Sequence, residues 1–232
     1  MTEIYSNSNL KIVEDIKKTN FRIEQISPDA RLVNSLIKTR IIQGGTSTDD
    51  YYIIKFKAVS VKTLKQFQEE RKYLTINEAT KLIADLTTQL KYLITQEKHT
   101  ILGYSPENII VINDTKFAFI GSDMFVKIED DEKNILVSYP FSINDFFVSP
   151  ELLKIKEIPS YVHYKTSYFS LACLAIYVLL SDKEFYNIYV NNQNTEVILD
   201  SLHRHPIKNT KIYWLLSRCL IEDIEKRSIL YI

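Results

Sequence analysis

His203-x-His205 sets two imidazoles one residue apart, a spacing that can grip a metal ion when cysteines or carboxylates stand beside it. No such cluster accompanies the pair, so it reads as part of a surface loop. Cys173 and Cys219 are the only cysteines, which excludes a disulfide scaffold and a multi-cysteine zinc cluster. Cys173, between Leu171, Leu174 and Ile176, reads as core, as do Tyr213 and Trp214. Phosphate chemistry meets a different obstacle. A loop that wraps backbone N–H groups round a phosphate needs glycine, because a Cβ blocks both the turn and the approach. Gly44, Gly45, Gly103 and Gly121 are the only glycines, and they form neither G-x-G-x-x-G nor G-x-x-x-x-G-K-[ST]. Any nucleotide would have to be held without a glycine-rich loop. His99 falls just after a long helix, where a cation suits the negative end of the dipole.

The elements that must position these residues follow from periodicity. Residues 10–16 and 21–26 alternate apolar and polar, like two short half-buried strands joined by a solvated turn at Lys17-Lys18. Ser27-Pro28-Asp29 predicts a helix start with Ser27 as N-cap, followed by Leu32, Val33, Leu36 and Ile37 on one face. A glycine loop and a strand over Tyr51–Val59 come next, then a short charged helix over 61–73. Thr75-x-x-Glu78 is a capping box opening a long amphipathic helix to about Lys98. The stretch Ile101–Ile112 and a second strand over Lys116–Ile120 predict a β-hairpin across Asn113-Asp114-Thr115. The segment 121–149 reads as irregular, with Glu129–Glu132 a solvated acidic turn, and helices return at 150–156, 166–181, 195–203 and 210–220. Strands early and helices late indicate an α+β protein.

That order carries a resemblance. A long helix, a Pro106-Glu107-Asn108 loop, a hairpin, an irregular segment ending Ser149-Pro150-Glu151, an apolar helix and a closing Asp223-x-x-Lys226-Arg227 resemble the protein kinase family from about residue 50 onward. The family's catalytic loop, H-R-D-L-K-P-E-N, falls on 101–108, its D-F-G on Gly121-Ser122-Asp123, its A-P-E on 149–151, and its D-V-W-S-L-G on Ser167–Ala172. The departures are at the chemistry. The aspartate that accepts the substrate's proton is Gly103, the lysine beside the transferred phosphoryl is Ser105, and the metal-binding aspartate is Gly121. General-base catalysis alone is worth about 10²–10⁴-fold. The helix-start aspartate that ties down the catalytic loop is Ser167. Asn108 matches a metal ligand, and without its partner it reads as a loop cap. Asp123 could serve as the metal ligand only by a two-residue slip of about 6–7 Å, against metal–oxygen bonds of about 2.1 Å. What persists is a frame: the resemblance implies a buried ion pair between Glu151 and Arg227.

The expectation is therefore an α+β, two-lobed protein kinase-like fold with a reduced β-rich N-lobe (1–58) and a helical C-lobe (59–232). About two strands precede the first helix, which contains no glutamate, and Arg22 is the one cation near the family's strand lysine. Lys55 and Lys57 read as outward residues of a later strand, too close to Asn108 in sequence to play that part. The resemblance implies a catalytically inactive pseudokinase with no cofactor and no bound metal, acting as a scaffold or regulatory subunit for another protein, such as an active kinase or a larger complex. The alternative is an atypical ATP-dependent phosphotransferase using Asn108 and Asp123. Candidate docking residues are Phe141, Phe146, Phe147, Tyr161 and Tyr164, since exposed aromatics mark interfaces. Charges balance at 29 against 29, which argues against a nucleic-acid or membrane-surface binder. With no leader segment and no apolar run long enough to span a bilayer, a cytoplasmic protein is expected.

Overall fold

A computed structural model describes residues 1–15, 19–71, 73–130, 132–140, 147–180 and 195–230. Lys17, Lys18, Phe141 and Phe146 lie outside the described residues. The chain is mixed α and β, with several small antiparallel sheets. The first sheet contains β1 (Thr2–Ser6), β2 (Leu10–Glu14), β3 (Asn20–Gln25), β4 (Thr46–Ser47) and β5 (Ile53–Lys57), in the order β1-β2-β3-β5-β4. Helix α1 (Ala30–Lys38) lies between β3 and β4 in the chain. Register puts Ile12, Ile23 and Ile54 in one cross-strand row, all fully buried, and Phe21 stacks on Phe56 at 5.9 Å. The alternate positions, Lys11, Arg22 and Lys55, take the opposite face.

Two expectations change here. Three strands, not two, precede α1: Thr2–Ser6 alternates too weakly to be legible alone, and pairing with β2 makes it a strand. The N-cap of α1 is Asp29, not Ser27. Its carboxylate accepts the N–H groups of Arg31 (2.9 Å) and Leu32 (3.4 Å), so the charge sits at the positive end of the dipole.

The predicted helix over 61–73 begins as a strand, β6 (Val61–Thr63), and only then becomes α2 (Leu64–Arg71). Val61 and Thr63 are β-branched and pair with Ile112 and Ile110 of β8 (Ile109–Ile112). β8 forms the expected hairpin with β9 (Lys116–Phe119), giving the sheet β6-β8-β9. Helix α3 (Ile76–Tyr92) opens on the Thr75–Glu78 capping box, continues as a π-helical turn (Leu93–Glu97) and stops at Lys98, whose φ is +55°.

The outer edge of β9 is sealed by side chains from α3. Asp85 accepts the N–H of Phe117 (3.1 Å), and Gln89 accepts the N–H of Phe119 (2.9 Å). Gln89 also donates to the carbonyl of Phe119 (2.8 Å) and to Ser35 of α1 (3.0 Å). Four residues of helix rise about 6 Å and two residues of strand about 6.8 Å, so an i,i+4 pair can serve every second strand residue.

The segment 121–149, read as irregular, holds β10 (Phe125–Lys127), which pairs with β7 (His99–Ile101), and β11 (Asn134–Val137), which pairs with β12 (Ser160–His163). Strands of three or four residues carry little local signal when their partners lie far along the chain. The remaining α-helices among the described residues are α4 (Pro150–Leu153), α5 (Thr166–Leu179), α6 (Thr195–Arg204) and α7 (Lys211–Cys219). α5 is apolar on nearly every side and is buried accordingly. Among the described residues no helix is long and apolar enough to cross a membrane.

Candidate functional site

The loop from β7 to β8 is pinned from below by α5. Ser170 donates to the carbonyl of Leu102 (3.1 Å), and Thr100 donates to Ser167 (2.9 Å). Hydroxyls thus hold the loop at the place where the resemblance puts an aspartate. Tyr104 exchanges both backbone hydrogen bonds with Phe147, at 3.1 and 2.8 Å, and packs edge-on against Phe119. Gly103 is buried, and Ser105 is occupied as a cap, accepting the N–H of Glu107 (3.3 Å). Glu107 forms an ion pair with Lys65 at 2.6 Å.

Asn108 is buried and faces a partner that the sequence does not announce. The Tyr5 hydroxyl of β1 donates to its Oδ1 (3.2 Å), and Asn7 donates to the same hydroxyl (3.0 Å). Burial raises the Tyr5 pKa and the Asn7 bond offsets part of this; the charges of Glu107 and Asp123 raise it further, so the hydroxyl stays protonated and remains a donor. The β1–β2 hairpin is therefore tied to the floor of the loop. Asp123 is exposed, with no ion pair or hydrogen bond among the described residues.

Gly121 decides whether a metal-binding aspartate has room. A Cβ placed there would lie 2.8 Å from Nδ2 of Asn108 and 2.9 Å from Cζ of Phe119. Both distances are shorter than side chains tolerate, and Asn108 is held by Tyr5. A carboxylate at this position would require the Asn108 amide and the Phe119 ring to move aside. Among the described residues no group of three or more His, Cys, Asp or Glu could hold a metal ion. Gly121→Ala is expected to lower stability by about 1–3 kcal/mol through overpacking. The cost should shrink in a Tyr5→Phe background, where Asn108 is freer to move; paired urea melts measure that coupling.

The candidate cation of β3 does not join the buried row. Arg22 lies on the sheet face opposite the buried row, 3.9 Å from Glu24, and its cross-strand neighbour is Lys55. The inward β3 positions are Phe21, Ile23 and Gln25, and Gln25 donates to the carbonyl of Tyr51 (2.7 Å). Lys55 and Lys57 are exposed.

Glu151 and Arg227 are joined by an ion pair. The Arg227 side chain is 1% exposed, its Nε donates to the carbonyl of Ile221 (2.7 Å), and its guanidinium lies over the Phe169 ring at 5.0 Å. Of the candidate docking aromatics, Phe147 is buried against Tyr177 at 5.0 Å, which makes it core rather than surface. Tyr164 is half-buried between His163 and Tyr168, whereas Tyr161 is 67% exposed.

No protein-family model matches the chain, and no curated protein is significantly similar to it.

The other reactive side chains are accounted for by packing. Burial pushes the Cys219 thiol up to about 12 and that of Cys173 well above its ordinary value, so neither is a thiolate at neutral pH. His203 and His205 lie at the end of α6, with His203 beside Tyr213 at 5.7 Å. His99 is not the expected cation. Burial lowers its pKa below 6.5, and its Nδ1 lies 2.6 Å from the Glu97 carbonyl, so the ring is neutral and Nδ1–H donates. A depressed folded-state pKa means that the unfolded chain takes the proton first. The associated stability is present above about pH 6.5 and lost as pH falls through the folded value. Melting temperature should therefore decline below about pH 6.5, and His99→Asn should flatten that part of the profile.

Proposed function

We propose that the chain is a two-lobed, protein kinase-like protein that does not transfer phosphate and acts by binding another protein, as scaffold or regulatory subunit. Residues 1–58 would form the small lobe and 59–232 the larger one. A hairpin, a third strand and a helix, in that order, are the parts that in kinases cover the phosphates and carry the lysine and glutamate. Their presence here, ahead of the motif order noted in the sequence, supports the family reading. The small lobe is not short of strands; it is short of the side chains that hold a nucleotide.

The observation that carries the conclusion is the packing at Gly121, where Asn108 and Phe119 occupy the space a metal-binding carboxylate needs. Gly103 supplies no base, and the inward face of β3 supplies no cation. Saturating ATP or ADP with magnesium or manganese is expected to leave the melting temperature unchanged. A bound ligand at a hundred times its Kd would add about 2.7 kcal/mol, a shift no melt would miss. Phosphate transfer to generic substrates should also be nil.

A second reading is atypical phosphotransfer through Asn108 and Asp123. It is favoured by the exposure of Asp123 and by its electrostatic reach to Tyr5. Nucleotide-dependent stabilisation abolished by Asp123→Asn would establish it and displace the first.

A further inference from the structure

The β11–β12 ladder has one covered edge and, at Tyr161, one with no backbone partner among the described residues. The N–H of Tyr164 donates to the carbonyl of Lys133 (2.8 Å) at the end of the antiparallel register. Narrow and wide pairs alternate from that point, so Val162 and Ser160 bond to β11, while Tyr161 and His163 turn their backbone groups away from it. The far edge of β11 is used already: Glu129 donates to the carbonyl of Asn134 (2.7 Å), and Ile128 bridges to Ile135.

All four residues of β12 line an open groove of about 670 Å³, bounded on its other side by Glu151 and the segment 154–157. β12 is about 13 Å long, the span of a four-residue extended segment. The groove is not neutral. Glu151 is engaged by Arg227, whereas Lys154 and Lys156 are exposed and have no ion pair among the described residues, against one similarly unpaired acid, Glu157. Tyr161 adds exposed aromatic surface of the kind that anchors interfaces.

We propose that this groove takes an acidic, extended segment of a partner polypeptide, which adds to β12 as a third strand. The inference rests on the protein-binding reading above and specifies the partner's chemistry. The outward backbone groups of Tyr161 offer an N–H and a C=O to a partner in extended array, and an added strand supplies the complements of both. Acidic side chains at alternate positions of that strand share one face and meet the two lysines.

The test uses the whole chain against a displayed library of short random peptides, with enriched peptides synthesised and titrated by fluorescence anisotropy. Enriched sequences should carry Asp or Glu at alternate positions. Their affinity should fall about tenfold or more with Tyr161→Pro, which removes an outward N–H where an edge strand tolerates proline. The paired charge reversals Lys154→Glu and Lys156→Glu should have a similar effect. Methylating alternate backbone nitrogens of the peptide should do the same, which tests the strand bonds even if Tyr161→Pro unfolds the protein.

Three results would overturn the proposal. One is a library without enrichment, or binding indifferent to all these changes. Another is self-association through this edge, seen by sedimentation and dissolved by Tyr161→Pro. The last is a free protein in which the Tyr161 amide is already protected from hydrogen exchange, meaning that the chain covers its own edge. Nucleotide binding by the same preparation would instead overturn the reading of the cleft and leave the groove result standing.

Discussion

Glu151→Ala should cost about 3–5 kcal/mol of folding stability, measured by urea or guanidinium unfolding. The expectation comes from an asymmetry in burial. Glu151 keeps 26% of its side chain exposed, while Arg227 keeps 1%. Removing the acid leaves a guanidinium in the interior with no counter-charge, and its Nη1 already has no partner. The cation cannot shed its proton to escape, because arginine stays charged in proteins. It is left with one carbonyl bond, to Ile221, and the Phe169 ring. The double variant Glu151→Ala, Arg227→Met should recover much of the loss, since an apolar pair in place of a buried ion pair is often close to neutral. If the single and double variants unfold alike, the ion pair is not what holds α4 to the chain's last residues.

Gln89→Leu should cost about 2–4 kcal/mol, in spite of being nearly isosteric and more apolar. Gln89 is fully buried, and one amide serves three partners: the N–H and C=O of Phe119 and the hydroxyl of Ser35. Leucine would fill the space and leave both backbone groups of Phe119 without a bond in a dry place. Each such group costs about 1–3 kcal/mol. Gln89→Glu separates geometry from volume. It keeps an acceptor for the N–H of Phe119 but turns a second carboxylate oxygen toward a carbonyl, so it should also destabilise, and less so under acidic conditions where the group can protonate and donate. Hydrogen exchange at Phe119 gives the local readout. Loss of protection there, with α5 unaffected, would place the damage at the β9 edge.

Both predictions concern residues whose types were visible in the sequence and whose roles were legible to different degrees. Glu151 and Arg227 were paired only through the family resemblance; no spacing rule joins residues so far apart. Gln89 carries no such mark, because a glutamine in an amphipathic helix usually belongs to the solvated side. Its place three residues after Leu86 and four before Leu93, on the apolar stripe of the helix, is the available signal. Tyr5 was equally silent: it lies in a strand too weakly alternating to stand out, and its partner Asn108 is 103 residues away. The departures at Gly103, Ser105 and Gly121 were plain in the sequence. Whether Gly121 leaves a void or a filled space was not.

Local rules determined what depends on neighbours along the chain. The capping box at Thr75, the periodic faces of α1 and α3, the β8–β9 hairpin and the buried α5 follow from spacings of two to four residues, and the structure places them where those spacings require. Tertiary structure decided everything that rests on a remote partner. It made strands of Phe125–Lys127, Asn134–Val137 and Ser160–His163, turned Arg22 away from the buried row, kept His99 neutral and drew Phe147 into the core. The physical reason is that periodicity records which face of an element avoids water, whereas hydrogen-bond satisfaction and steric room depend on what that face meets.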